Sequence, residues 1–419
     1  MNILFIHQNF PGQYKNLAAA LAAQGHRCVA LTLRVKKPTK WQGVDVLPYT
    51  IKRKQGGGTH PWLMDLDTKV IRAESCMIAA MNLKERGFSP DVIVAHPGWG
   101  EAMFLRDVWP KARIGLYYEL FYQPSADDVG FDPEFPNPAG AFDPLRLRLK
   151  NLNNALHYPL GDMGISPTHF QAGTYPKKYQ DRISVIHDGI DTEQAAPNPD
   201  AMFKVSESLT LCPADEVVTF VNRNLEPYRG YHVFMRSLPK LLKGRPKAHI
   251  VIVGGDGHSY GTAAPEGQTW KQIFIDEVRG QISDLDWARV HFVGKVPYDN
   301  FLNLLQIARV HVYLTYPFVL SWSLLEAMSI GAAIVASDTA PVREVIEHDR
   351  TGRLVDFFDQ EGLASEIADL MSDERARHEL GANARNHIIT NFDLKTKCLP
   401  MQLAWIKQLA EVAPGGTEI

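Results

Sequence analysis

Two arginines six residues apart, Arg223 and Arg229, flank a turn in Val221-Asn222-Arg223-Asn224-Leu225-Glu226-Pro227-Tyr228-Arg229-Gly230. Guanidinium groups so spaced can converge on one anion, and they pair well with phosphate oxygens. An ion pair with Glu226 is the structural alternative. A second stretch, Ser321-Trp322-Ser323-Leu324-Leu325-Glu326-Ala327-Met328-Ser329-Ile330-Gly331, follows an expected strand and reads as a helix capped by Ser321. The unpaired N–H groups and positive dipole end of such a helix suit a diphosphate. Glu326, a little over one turn in, can accept hydrogen bonds from vicinal sugar hydroxyls, or it can be a solvated surface acid. Nearer the N-terminus, His96 in His96-Pro97-Gly98-Trp99-Gly100-Glu101 and Glu119 after Tyr118 stand at expected strand ends. Either can orient an acceptor hydroxyl; a buried or capping role is the alternative for both. The strings Asp65/Asp67 and Asp284/Asp286 imitate a metal-binding D-x-D but follow no expected strand end, so they read as helix-start or loop acids and no metal site is expected.

Strands are expected at 2–6, 28–33, 44–48, 92–95 and 114–118, with helices over 13–24, 69–86 and after Gly98. Residues 123–144, with five prolines among Asp and Gly, read as a long loop. A helix at 146–156, a strand at 163–165, a helix from Ser166-Pro167-Thr168 and a strand at 185–186 complete this half. Residues 195–200 read as a linker. A second alternation has strands at 217–221, 250–254, 290–293, 310–315, 333–337 and 352–356. Its helices fall near 231–243, 268–282, 298–307, 322–330, 341–347 and 360–371. Repeating β-α units imply parallel sheets covered on both faces. The expected fold is therefore α/β, two doubly wound Rossmann-like domains facing a central cleft, with ligands at the carboxyl ends of the strands. Residues 1–200 form the expected acceptor-side domain and 201–392 the nucleotide-binding one. Residues 393–419 carry an amphipathic stretch, 399–409, that crosses back to the first.

The composition narrows the class. At 419 residues, 45% hydrophobic and 22% charged, the chain is neither disordered nor a disulfide-stapled miniprotein. Cys28, Cys76, Cys212 and Cys398 lie far apart and read as buried thiols of a reducing compartment. The start lacks the positive region and cleavage site of a signal peptide, and no apolar run is long enough to span a bilayer, so a cytoplasmic location is expected. A formal charge of −3 argues against bulk nucleic-acid binding. Residues 1–54 nevertheless hold nine basic side chains and one acidic one, a net of +8. That edge is either a set of solvated loop charges or a face for an anionic acceptor or lipid headgroups, with peripheral attachment to the inner face of the membrane.

Taken in order, these segments resemble family 4 of the retaining, nucleotide-sugar-dependent glycosyltransferases, of GT-B fold and bacterial surface-glycan type. The resemblance rests on Leu324-Leu325-Glu326-Ala327-Met328 with Gly331, Ile334-Val335-Ala336-Ser337, the Arg223 to Gly230 segment, Val251-Ile252-Val253-Gly254-Gly255-Asp256-Gly257, and His187-Asp188-Gly189-Ile190-Asp191-Thr192, with Glu344 and Gly352 beyond. It implies that Arg223 and Arg229 neutralise the donor diphosphate and that Glu326 holds the nucleotide ribose. It further places Ser321, Trp322 and Ser323 at the phosphates, Val296 at the nucleobase, and Gly255, Phe318, Leu320 and Gly12 around the donor. No cofactor and no obligatory metal are implied; a nucleotide sugar, UDP-linked by base rate, is substrate, and a glycan, lipid-linked or small molecule accepts the sugar in polysaccharide biosynthesis. The pattern breaks at Phe318, where most members have the first Glu of an E-x7-E pair, and at Glu119, near where a His is common. Different sugar recognition, a changed catalytic pocket and an inactive relative are the resulting readings, the first being favoured because the arginines and Glu326 persist. A UDP-sugar 2-epimerase and a non-catalytic nucleotide-sugar binder are the rival functions.

Overall fold

In the computed structural model the described residues are 1–123, 128–136 and 142–413; the rest of the proline-rich loop lies outside them. They form two compact units: residues 1–123, 142–189 and 395–413 in one, 128–136 and 190–394 in the other. The chain thus changes unit at 189/190, earlier than the linker read at 195–200, and residues 128–136 fold with unit 2, which the loop reading did not foresee.

Unit 1 is built on eight strands: β1 (Asn2–Ile6), β2 (Arg27–Thr32), β3 (Thr39–Trp41), β4 (Val44–Pro48), β5 (Val92–Ala95), β6 (Arg113–Tyr117), β7 (Met163–Ser166) and β8 (Ile183–Val185). Their order is β3-β4-β2-β1-β5-β6-β7-β8, parallel throughout except for β3 against β4. Strands buried on both faces need apolar residues at every position, and β1 sends Leu4 and Ile6 into one core and Ile3 and Phe5 into the other. The second core is completed by Trp405, Ile406 and Leu409 of the helix Leu399–Glu411. Gly115 on β6 makes room for it, since a Cβ there would lie 2.4 Å from the Trp405 ring.

In unit 2 a short hairpin, β9 (Phe203–Lys204) and β10 (Thr210–Leu211), precedes six parallel strands. These are β11 (Val217–Asn224), β12 (His249–Gly255), β13 (Val290–Gly294), β14 (Val310–Tyr313), β15 (Ala333–Ser337) and β16 (Arg353–Val355), in the order β13-β12-β11-β14-β15-β16. A 19-residue helix, Glu374–Phe392, was not expected. It buries only Leu380, Gly381, Ala384 and Ile388, so its apolar stripe is too thin to read. Gly381 meets the end of the helix Trp322–Ile330 so closely that a Cβ would lie 2.1 Å from the Gly331 carbonyl.

Both sheets reverse strand order at a definite place, β1/β5 in unit 1 and β11/β14 in unit 2. Loops leave such a switch point in opposite directions and open a crevice beyond the carboxyl ends of the strands. His7 follows β1, His96 follows β5, the Arg223 to Arg229 segment ends β11, and Thr315 follows β14.

Candidate functional site

Arg229 closes the turn after β11 and is buried. Its Nη1 donates to Thr315 Oγ1 at 2.8 Å and to the Tyr313 hydroxyl at 3.3 Å. The guanidinium also lies over two rings, 5.4 Å from Tyr260 and 5.5 Å from Phe318. Among the described residues no carboxylate comes within ion-pair distance of it. The pair with Glu226 does not form: that carboxylate, pushed up by burial, accepts instead from the backbone N–H groups of Ser259 (2.9 Å) and Tyr260 (3.3 Å). A buried cation whose hydrogen bonds go only to neutral oxygens, with the Glu226 carboxylate acting on it through space from beyond ion-pair distance, is an incompletely compensated arrangement. An anion completes it. Arg223 is exposed and likewise has no ion-pair partner among the described residues.

Both arginines line a cavity of about 550 Å³, within the size range of small-molecule sites. Asn222, Asn224, Lys295, Val296, Tyr298 and Ser323 are also on its walls. A larger cavity of about 610 Å³ beside the helix Glu374–Phe392 is less suited to an anion, since its Arg343 and Arg350 are already paired with Asp338 and Glu347. In the first cavity Ser321 caps the helix Trp322–Ile330, its Oγ accepting from Ser323 N–H, while its own N–H donates to the Tyr313 hydroxyl at 2.9 Å. Tyr313 therefore ties the buried arginine to the helix end. One turn further, Glu326 accepts from the Tyr298 hydroxyl at 2.7 Å, which sets a carboxylate beside the wall. Gly255, at the end of β12, gives space to Lys295 and Asn224: a Cβ would stand 2.5 Å from Lys295 Cε and 2.8 Å from Asn224 Oδ1.

Of the expected donor residues, Arg223, Arg229, Val296, Ser321 and Ser323 line this cavity; Gly255, Phe318, Leu320, Trp322 and Glu326 do not, and Gly12 belongs to unit 1. Leu320 is buried in the apolar core of unit 2, because the strand-to-helix turn points it inward. The Trp322 side chain is 44% exposed and off the cavity lining, whereas the expectation concerned its backbone at the helix start. Phe318 is buried against Tyr228 and Tyr260, at 5.1 and 4.9 Å between ring centres, and faces Arg229 from behind the cavity wall. Lys295, Asn224, Tyr260 and Tyr298 were not singled out from sequence; Asn224, beside Arg223, and Lys295, beside Val296, lay next to residues that were.

In unit 1 a second constellation surrounds His96. Its ring is buried, stacked on Trp99 at 4.3 Å and Tyr117 at 5.3 Å, and 5.5 Å from His7. Nδ1 accepts from Gly98 N–H at 3.1 Å, so a neutral imidazole carries its proton on Nε2, which lies 3.6 Å from the Glu119 carboxylate. His96 thus has the capping role left open above, and its other nitrogen is aimed at the half-exposed Glu119. His7 repeats the device: Nδ1 accepts from Asn9 N–H and Nε2 reaches Gln13 Oε1 at 2.7 Å. Gly12, at φ +48°, lies over that ring, where a Cβ would come within 2.4 Å. Tyr117 donates to Asp188 at 3.0 Å, bringing the His187-Asp188 segment to the same end of the sheet. The Asp65/Asp67 and Asp284/Asp286 pairs stand in the first turns of helices. Asp132, Glu134 and His232 lie close enough together to hold a cation, but Glu134 is gripped by Arg236 and Asp132 by Tyr316 and His232.

Burial also keeps several imidazoles neutral. His7 and His311 are pushed down to about 3, and His157 and His187 to about 4. Unfolded, these groups bind protons below about 6.5, whereas folded they do so only near 3 to 4. Their stabilisation is therefore full above pH 6.5 and is lost as pH falls toward 4. Glu101 and Glu226, raised by burial, act in the opposite sense but are outnumbered. The expected result is a Tm lower by roughly 5–10 °C at pH 5 than at pH 7, read by calorimetry; a Tm that rises on acidification would contradict it.

Comparison with known proteins bears on both units. Residues 24–195 match the model for the glycosyl transferase family 4 group, and residues 206–387 that for glycosyl transferases group 1. The chain is 26% identical over 208 residues to a D-inositol 3-phosphate glycosyltransferase of Corynebacterium efficiens, covering 49% of this chain and 47% of that one. It is 31% identical over 176 residues to a phosphatidyl-myo-inositol mannosyltransferase of Mycolicibacterium smegmatis, covering 41% and 40%. The matched region is thus about half the length, or less, of these curated relatives. Among solved structures, the sucrose-phosphate synthase of Thermosynechococcus elongatus superposes with a TM-score of 0.73 at 18% identity, covering 98% and 99% of the two chains. Anabaena HepE, in complex with UDP and glucose, gives 0.65 at 18%, covering 97% and 99%. The fold is GT-B. With one family model on each unit and the arginine turn and capped helix at the switch point of the second, the chain belongs to family 4 of the glycosyltransferases.

Proposed function

We propose that this protein is a retaining glycosyltransferase that moves a sugar from a nucleoside-diphosphate sugar to a glycan, lipid-linked or small-molecule acceptor. The observation that carries the reading is Arg229: a buried guanidinium with hydroxyl partners and no counter-ion among the described residues, on the wall of a cavity that Arg223 also lines. In this reading the two guanidinium groups and the positive end of the helix Trp322–Ile330 take up the charge that develops on the leaving diphosphate. Such preorganised donors act chiefly on the transition state. They supply the positive charge that a metal would otherwise bring, so no obligatory metal is proposed. Glu326, steadied by Tyr298, accepts from the ribose hydroxyls, and the Val296 main chain meets the base. UDP is the first donor to test, because the neighbour HepE was solved with UDP and glucose; GDP-mannose is the second, because another relative is described as GDP-mannose-dependent. The departing diphosphate accepts the acceptor proton on the face it leaves. His96, with its Nε2 proton toward Glu119, orients that acceptor.

The exposed Arg34, Lys36, Lys37, Lys52 and Lys54 make an anionic acceptor or acidic lipid surface part of the same proposal. No helix among the described residues is long and apolar enough to cross a membrane. The test is incubation with UDP- and GDP-linked sugars, with and without acceptors in vesicles of acidic or neutral headgroups. Nucleotide release that depends on acceptor supports transfer; a sugar isomer points to a 2-epimerase; saturable binding without turnover points to a non-catalytic binder. Equal retention on both vesicle types at low salt would remove the membrane element.

A further inference from the structure

Residues 128–136 lie in the sequence between β6 and the helix Asp143–Lys150 of unit 1, yet they fold as part of unit 2. Two apolar anchors seat this strap. Phe131 lies 5.1 Å from the Tyr316 ring and 5.2 Å from Phe358, and Phe135 lies 5.1 Å from His232 and 5.2 Å from Trp270. Glu134 makes a two-bond fork with Arg236, both at 2.6 Å. Two buried aspartates, Asp128 ahead of these fixings and Asp132 among them, accept tyrosine hydroxyls: Tyr228 donates to Asp128 Oδ2 at 2.9 Å, and Tyr316 to Asp132 Oδ2 at 2.8 Å.

Those tyrosines are neighbours, at 4.6 Å between ring centres, and the Tyr316 N–H donates to the Tyr228 carbonyl at 3.1 Å. Tyr228 directly precedes Arg229, and its ring packs edge-on against Phe318, one of the two rings under the Arg229 guanidinium. A tyrosine side chain in a packed site can swing away only if its hydroxyl finds another acceptor, and a buried hydroxyl left unpaired is costly. The acid that accepts this hydrogen bond therefore sets the side chain, and the ring sets Phe318. The strap is thus joined to the buried guanidinium through one hydrogen bond and two ring contacts.

We propose that Asp128 and Asp132 are positioning residues of the diphosphate site, which through Tyr228 and Tyr316 hold the aromatic wall that aims Arg229 at its anion. This rests on the donor-binding reading above. A strap encoded within the sequence of the first half is then a working part of the anion pocket in the second.

The experiment uses the full chain and isothermal titration with inorganic pyrophosphate and with UDP. Tyr228→Phe removes one hydroxyl while keeping the ring, so it tests the link even if Asp128→Ala fails to fold. Each is expected to weaken pyrophosphate binding ~3–10-fold, the effect of one buried hydrogen bond, and the two together to cost no more than either alone. Asp128→Asn, which still accepts from Tyr228, is expected to keep most of the affinity. In an Arg229→Met background neither change is expected to alter the residual affinity, whereas a merely structural role would lower Tm and act equally in both backgrounds. Wild-type affinity in Tyr228→Phe and in folded Asp128→Ala, or losses undiminished in the Arg229→Met background, would overturn the proposal while leaving the donor site standing. Wild-type protein that binds neither pyrophosphate nor UDP would remove the diphosphate site itself, and the strap's role with it.

Discussion

Arg229→Met is expected to lower transfer from a nucleotide sugar by about 10²–10³-fold while leaving the melting temperature unchanged or raising it. The two halves of that result have one cause. A buried guanidinium with no carboxylate within ion-pair distance is only partly compensated for its desolvation in the absence of an anion. Methionine fills nearly the same volume without the charge. Against this gain stand the two hydroxyls of Thr315 and Tyr313, whose oxygens lose a donor that water from the cavity can replace, at about 1 kcal/mol each. The folded state is therefore no worse off, whereas the leaving diphosphate loses a charge-assisted donor held in place before the reaction. Parallel measurement of turnover and thermal denaturation decides the matter. A variant that unfolds well below the wild type would mean that Arg229 is structural; one that unfolds normally and turns over normally would mean that it never meets the anion. Arg223, exposed and free to rotate, is expected to give the smaller loss.

What was legible beforehand follows a physical division. Strands such as β1, β5 and β14 are short apolar runs because both faces of a parallel sheet are covered, and the polar residues that end them mark the ligand edge. Arg223, Arg229 and Ser321 could be read for that reason: their chemistry is local to a strand end or a helix start. Leu320 could not be placed, since a turn residue two positions from a buried ring points inward or outward according to packing that the local sequence does not encode. The helix Glu374–Phe392 was missed because Gly381 and polar residues occupy most of its face, and its fit depends on a backbone approach to Gly331. The strap was read as a loop, which its backbone is. Its partners, Tyr228, His232, Arg236 and Tyr316, lie some hundred or more positions on, and two phenylalanines among prolines and acids were the only local sign that it buries anything.

Phe318→Glu, which restores the residue most of the family carries there, is expected to lower activity and not to improve it. The Phe318 ring is buried, nearly perpendicular to the Tyr228 ring and with its centre 5.5 Å from the Arg229 guanidinium. Glutamate at that position would bring a carboxylate into a water-poor site beside an unpaired cation, and the favourable outcome for both charges is an ion pair. That pair would occupy the guanidinium which the donor diphosphate is proposed to use, so the donor would have to compete with a carboxylate fixed at very high local concentration. A rise in donor KM of at least about tenfold follows, together with a fall in kcat, because the same guanidinium is needed most in the transition state. Phe318→Leu separates charge from shape: it removes the ring under the cation without adding an acid, and is expected to cost about 0.5–2 kcal/mol of the Arg229 interaction, well short of the glutamate effect. Should the glutamate variant instead transfer sugar as well as the wild type or better, Arg229 would be held by something other than this aromatic wall, and the departure at position 318 would have to be explained through the sugar alone.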